Sequence, residues 1–122
     1  MDKSERKAFN REYKSTPRPA GIYRVRNSVT GKSLVGSAND LRGMLNRQRF
    51  QLENGLHPDP ELQQDWVDFG PGAFEFETLD QLEPGSDPTY DLTEDLAALK
   101  EMWIEELMKS GATFYRWSKR AV

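Results

Sequence analysis

Gly21-Ile22-Tyr23-Arg24-Val25-Arg26-Asn27-Ser28-Val29-Thr30-Gly31-Lys32-Ser33-Leu34-Val35-Gly36-Ser37 is the stretch whose reading decides the fold. Two runs of β-branched and aromatic residues, Ile22 to Arg26 and Ser33 to Val35, flank a segment in which Asn27 and Gly31 supply turn geometry, so a hairpin is expected. Downstream, Ser37 and Asn39 offer caps for a helix from about Asp40 to Glu53. Leu41, Leu45, Leu52 and Leu56 approximate one apolar stripe along it, and Asn54-Gly55 ends it. Asp59 as N-cap and Pro60 at the first helical position announce a second helix, with Leu62, Trp66 and Phe69 on its inner side and Gly70-Pro71-Gly72 as its stop. Phe74-Glu75-Phe76-Glu77 alternates apolar and acidic residues, the pattern of a strand with both phenylalanines inward. After a polar loop from Glu83 to Tyr90, the capping-box pattern Asp91-Leu92-Thr93-Glu94 opens a third helix, lined by Leu96, Leu99, Trp103 and Leu107 and stopped by Gly111. The expected order is ββααβα: an α+β domain with a three-stranded antiparallel sheet flanked by helices.

The chain has 122 residues, at roughly 100–200 per domain enough for one. We place a basic arm at residues 1–17, the domain at 18–116 and a short tail at 117–122, with the first boundary at Thr16-Pro17-Arg18-Pro19, where prolines end any helix. Lys3, Lys7, Arg11 and Lys14 fall at helical spacing in the arm, which reads equally well as a basic helix or a solvated terminus. The start lacks an apolar signal core and no run of about 18 apolar residues occurs, so a cytoplasmic chain without membrane contact is expected. With no cysteine, disulfides and thiolate metal sites are excluded.

The net charge of -3 hides an asymmetry. Residues 1–50 carry 12 Lys+Arg against 4 Asp+Glu, leaving 5 against 16 for the rest. Either the basic half faces a polyanion or the halves neutralise each other in the fold. His57 is the only histidine, which excludes a His-rich metal site; it is expected as a turn or surface residue. No glycine-rich phosphate loop is present. Trp117, with Phe114, Tyr115, Lys119 and Arg120, forms an aromatic-basic end that could stack on bases or dock on the domain.

Gly21-Ile22-Tyr23, a short turn, and Leu34-Val35-Gly36-Ser37 resemble the two halves of the GIY-YIG nuclease motif. The resemblance continues in order through Asn39-Asp40-Leu41, Leu45-Asn46-Arg47, His57, Leu62-Gln63, Trp66, Gly70, Phe74, Phe76 and Trp103-Ile104, covering about Pro19 to Tyr115. It implies enzymes that cut DNA with one divalent cation held by a helix glutamate, together with a tyrosine pair and a helix arginine. Such parts suit phosphodiester hydrolysis, which needs charge stabilisation on the phosphate and an activated water.

Matched position by position, Tyr23 keeps the first tyrosine. Leu34 replaces the second, Met44 stands for the arginine, Gln48 for a frequent histidine, Lys100 for the metal-binding glutamate and Arg116 for an asparagine beyond the third helix. An ammonium at Lys100 repels a divalent cation. Glu101 is one helical step away, about 100° around the axis. The expected reading is therefore a degenerate nuclease retained as a DNA-binding domain, needing no cofactor, with Arg24, Arg26, Lys32, Arg42, Arg47, Arg49 and Lys100 as phosphate contacts. Two alternatives stay open. One is an active magnesium- or manganese-dependent endonuclease using Tyr23, Arg47 and Glu101; the other is a module that binds a protein partner.

Overall fold

The expected turn closes as a hairpin in the computed structural model, which describes residues 19–82 and 91–119. Strands β1 (Ala20–Asn27) and β2 (Lys32–Ala38) pair antiparallel, with Tyr23 opposite Gly36 and Val25 opposite Leu34. Asn27 builds the turn: its Oδ1 accepts from the N–H groups of Val29 (3.0 Å) and Thr30 (3.3 Å). Gly31 completes it at φ 79°, a left-handed conformation that glycine adopts without a Cβ penalty.

Helix α1 (Leu41–Glu53) is capped by Asp40, whose carboxylate accepts from Gly43 N–H, one residue beyond the expected Asn39. Helix α2 (Pro60–Phe69) starts as expected, with Asp59 Oδ1 accepting from Glu61 N–H (3.0 Å) and Leu62 N–H (3.2 Å). Leu41, Leu52, Leu62 and Trp66 are buried, but Leu56 and Phe69 are exposed. Leu56 lies past the left-handed Gly55, where helical periodicity no longer governs direction, and Phe69 is the last residue before Gly70 ends the helix.

Strand β3 (Phe74–Leu82) runs antiparallel to β1 and places Phe76 beside Val25 and Phe74 beside Asn27. The Trp66 ring packs 5.3 Å from Phe74 and 6.1 Å from Phe76, centroid to centroid. These side chains join Tyr23, Val25, Leu34 and Tyr115 in a core between one sheet face and the first two helices. On the opposite face Ile22 and Val35 are fully buried, and helix α3 (Thr93–Lys109) packs against β1 and β2. The Asp91 carboxylate accepts from Thr93 N–H and Oγ1–H, while Leu92 takes the capping position without a side-chain hydrogen bond, so the helix starts one residue late and the expected box does not form.

The sheet has four strands, not three, and is mixed rather than wholly antiparallel. After α3 the chain reverses at Gly111, φ 90°, and Thr113–Phe114 (β4) pairs parallel with Lys32 and Ser33, giving the order β3-β1-β2-β4. A two-residue strand is too short for a period-2 signal, so pairing rather than sequence pattern creates it. The basic arm and the loop from Glu83 to Tyr90 lie outside the described residues. Among the described residues no helix is long and apolar enough to cross a membrane.

Candidate functional site

Strand β4 covers only the first part of the outer edge of β2. Next along the edge, Val35 N–H donates to Ser118 Oγ (2.8 Å), whose hydroxyl donates to Ser33 O (3.1 Å). Beyond this latch a cleft of about 350 Å³ opens over Leu34 to Ser37. Tyr23 reaches it from β1, Arg47 and Gln48 from α1, His57 from the loop before α2, Lys100 from α3 and Trp117 from the C-terminal turn.

The Tyr23 ring lies across Gly36, where any Cβ would overlap the ring and hydroxyl, so glycine is required there. Leu34, at the position of the second family tyrosine, is part of the core. Burial pushes the Tyr23 phenol up to about 12, with the Arg47 charge opposing. It therefore stays protonated at neutral pH and acts as a hydrogen-bond group, not a phenolate.

A chain of hydrogen bonds runs back from that hydroxyl. Gln48 Nε2 donates to Tyr23 Oη (3.5 Å) and to Met44 Sδ (3.6 Å), and Gln48 Oε1 lies 2.6 Å from His57 Nε2. Asp59 N–H donates to His57 Nδ1 (3.0 Å). A backbone N–H can only donate, so Nδ1 carries no proton and Nε2–H donates to Gln48. His57 is thus a neutral imidazole, and burial lowers its pKa against the weaker opposing pull of the Asp59 carboxylate. It sits in a loop as expected, but is buried rather than on the surface. Its burial is tertiary in origin: Gln48, one helix away, supplies the partner.

Asp59, fully buried, ties the site together. Its Oδ1 caps α2 and its Oδ2 accepts from Trp117 N–H (3.1 Å), while Trp117 Nε1–H donates to Pro58 O (3.2 Å). The aromatic at the C-terminal end is docked, with its ring along the cleft wall.

Lys100 is 7% exposed and burial lowers its pKa. Leu96, one turn before it, is also buried, so both lie on the inner face of α3; Glu101 is exposed and outside the cleft lining. Among the described residues no carboxylate lines the cleft, and no group of three or more His, Asp and Glu could hold a metal ion. A divalent cation would meet a phenol, two amides and an engaged imidazole beside two positive charges. The residues present do not fit it.

Of the basic residues expected to meet nucleic acid, the fold brings only Arg47 and Lys100 into the cleft. Arg24 pairs with Glu77 (2.7 Å), Arg26 with Glu75 (3.7 Å) and Lys32 with Glu61. The Arg49 guanidinium packs 4.5 Å from the Phe76 ring centre, and Arg42 is exposed on α1. Arg47, with Met44 one turn before it, lines the cleft as the helical spacing required.

Two solved structures share this fold. The catalytic domain of the intron endonuclease I-TevI, in a mutant form, matches with a TM-score of 0.63 and 28% identity over 80% of this chain and 92% of that one. A structure of the catalytic domain of the homing endonuclease I-TevI matches with a TM-score of 0.59 and 28% identity, over 77% and 94% respectively. These two similarities support the GIY-YIG superfamily for this chain. No family model and no curated protein matches the sequence. Within the GIY-YIG fold, this chain surrounds its cleft with one tyrosine, an amide-imidazole pair and two cations, where the family's chemistry calls for a carboxylate and a metal.

Proposed function

We propose that this GIY-YIG domain binds DNA phosphate in its cleft and does not hydrolyse it by the family's metal-dependent route. The observation that carries the reading is the convergence of Lys100 and Arg47 in a cleft whose lining, among the described residues, holds no carboxylate. Two positive charges near a low-dielectric floor attract the anion that the family would otherwise meet through its metal. Tyr23, protonated and accepting from Gln48, keeps its O–H to donate to a phosphate oxygen. Hydrolysis is a different demand, because the growing charge on the phosphate and leaving group needs a metal and an activated water. Neither the neutral His57 nor the buried phenol is a ready base, since Nδ1 of the imidazole is taken by Asp59 N–H.

The test is duplex binding measured by fluorescence anisotropy across a salt series. Affinity should fall as salt rises, and Arg47→Gln should make the log-log slope shallower by about 1. Lys100→Met should weaken binding about tenfold or more, equivalent to about 1.4 kcal/mol. Binding that ignores both substitutions would place the DNA elsewhere and refute the reading.

A further inference from the structure

Helix α1 presents a face that the fold leaves to solvent. Its buried residues, Leu41, Gln48 and Leu52, face the sheet and the His57 loop, while Arg42, Asn46, Arg49, Phe50 and Glu53 form an exposed arc on the other side. Three arginines stand against one glutamate in this helix, and the glutamate is its last residue. Arg47 and Arg49 bracket the arc. At about 100° per residue they leave the helix roughly 160° apart. Arg47 lies on the cleft side and Arg49 on the other, over the Phe76 ring of β3. Among the described residues neither is ion-paired, in contrast to Arg24, Arg26 and Lys32. A guanidinium stacked by its face keeps its edge donors for an anion. Between the two arginines Asn46 and Phe50 stand one turn apart, and Phe50 is 60% exposed, a large apolar side chain left in water beside two cations. An apolar protein partner seated on this arc would have to bury both guanidinium groups, whereas a duplex supplies a row of phosphates on each side. The dimensions agree: a helix with its side chains is about 10–12 Å across and the B-DNA major groove about 12 Å wide.

We propose that the exposed face of α1 lies in the major groove of a duplex whose backbone passes the cleft. Arg47 then meets a phosphate of one strand and Arg49 a phosphate of the other, with Asn46 on an adenine edge and Phe50 against a thymine methyl. This rests on the DNA-binding reading above and assigns the form of nucleic acid, the groove and the bases read. The Asn46 amide offers the donor and acceptor that match adenine N7 and N6, and the thymine methyl is the apolar group a phenyl ring can meet in that groove. Arg47 joins the two surfaces, since it lines the cleft and borders the arc.

The experiment measures binding of the full chain, by anisotropy, to three duplexes of one A·T-containing sequence: unmodified, with uracil for every thymine, and with 7-deazaadenine for every adenine. The modified duplexes keep every phosphate and every Watson–Crick pair and lose only the thymine methyl or the adenine N7 acceptor. Each should bind about fivefold more weakly than the unmodified duplex. The uracil penalty should vanish in Phe50→Ala and the deazaadenine penalty in Asn46→Ala, both at exposed positions outside the core. Arg49→Gln should make the log-log salt slope shallower by about 1, and Arg49→Lys should keep it, which a guanidinium that only covers Phe76 would not require. Equal binding to the three duplexes, with the slope unchanged in Arg49→Gln and reduced in Arg47→Gln, overturns the groove assignment and leaves the cleft reading standing. Penalties that persist in both alanine variants place the base contacts elsewhere and overturn it as well. Absence of duplex binding overturns both readings.

Discussion

Removing an ammonium from water costs free energy that the protein interior returns only in part, and Lys100 shows it in a pKa held below its ordinary value of 10.5. The folded chain then takes up that proton less readily than the unfolded one. The penalty is fully present at neutral pH and fades as pH rises toward the unfolded value. The stability of Lys100→Met relative to the wild type should therefore be higher at pH 7 than at pH 10, read from urea midpoints. A difference between the two proteins that does not change with pH would contradict a desolvated ammonium at this position. His57 gives the opposite experiment. Its folded pKa lies below its ordinary value of 6.5, so its contribution is complete above about 6.5 and is lost as pH falls through the folded value. The wild type should lose stability between pH 7 and pH 5. His57→Gln should give a flatter profile, a clean comparison because the chain has one histidine. At Gly36 the constraint is steric. Gly36→Ala should cost about 1–3 kcal/mol by thermal unfolding, and much less in a Tyr23→Ala background, where the opposing ring is gone.

Among elements, the loop from His57 to Asp59 connects more than its length suggests. One carboxylate, Asp59, caps α2, anchors the backbone of Trp117 and lies in the loop that orients His57. Asp59→Ala should destabilise the protein by about 2–3 kcal/mol, the loss of a cap plus a buried N–H left without its acceptor. Its distinctive signature should be a shift in tryptophan emission as Trp117 loosens. The start of α2 was legible from Asp59-Pro60 because a cap is a local rule, and the hairpin was legible from Asn27 and Gly31 for the same reason. The second partner of Asp59 was not, because Trp117 lies far along the chain. Strand β4 was equally hidden: two residues gain strand character only from Lys32 and Ser33 beside them. One pairing did leave a trace. Arg24 and Arg26 on β1, set against Glu75 and Glu77 on β3 at the same spacing, spell an antiparallel ladder of opposite charges. The two arginines expected as phosphate contacts are thus each held on a glutamate of the neighbouring strand.

For the molecule as a whole, the sharp division of charge between the two halves of the sequence is partly cancelled across the fold by the ion pairs of Arg24, Arg26 and Lys32. What remains directed is local, in a cleft where two strands, two helices, the loop before α2 and a C-terminal turn meet. The family resemblance was legible in the order of its motifs, since the hairpin glycine, the buried leucines and the Trp66–Phe74 contact are needed by the fold whatever the chemistry. The site was legible as a set of substitutions: Leu34 enters the core, Gln48 bridges Tyr23 to His57, and Lys100 stands in the cleft. Arg47 shares that cleft by its helical spacing from Met44, whereas the ion pairs that hold Arg24, Arg26 and Lys32 on acidic residues depended on packing that no spacing rule contains. The most direct measurement is supercoiled plasmid with the full chain at a concentration that retards it completely, in manganese and in EDTA, followed by removal of the protein and electrophoresis. The account predicts retarded plasmid under both conditions and only supercoiled DNA after deproteinisation. Nicked circles that form in manganese and not in EDTA, and disappear in Tyr23→Phe, would contradict it.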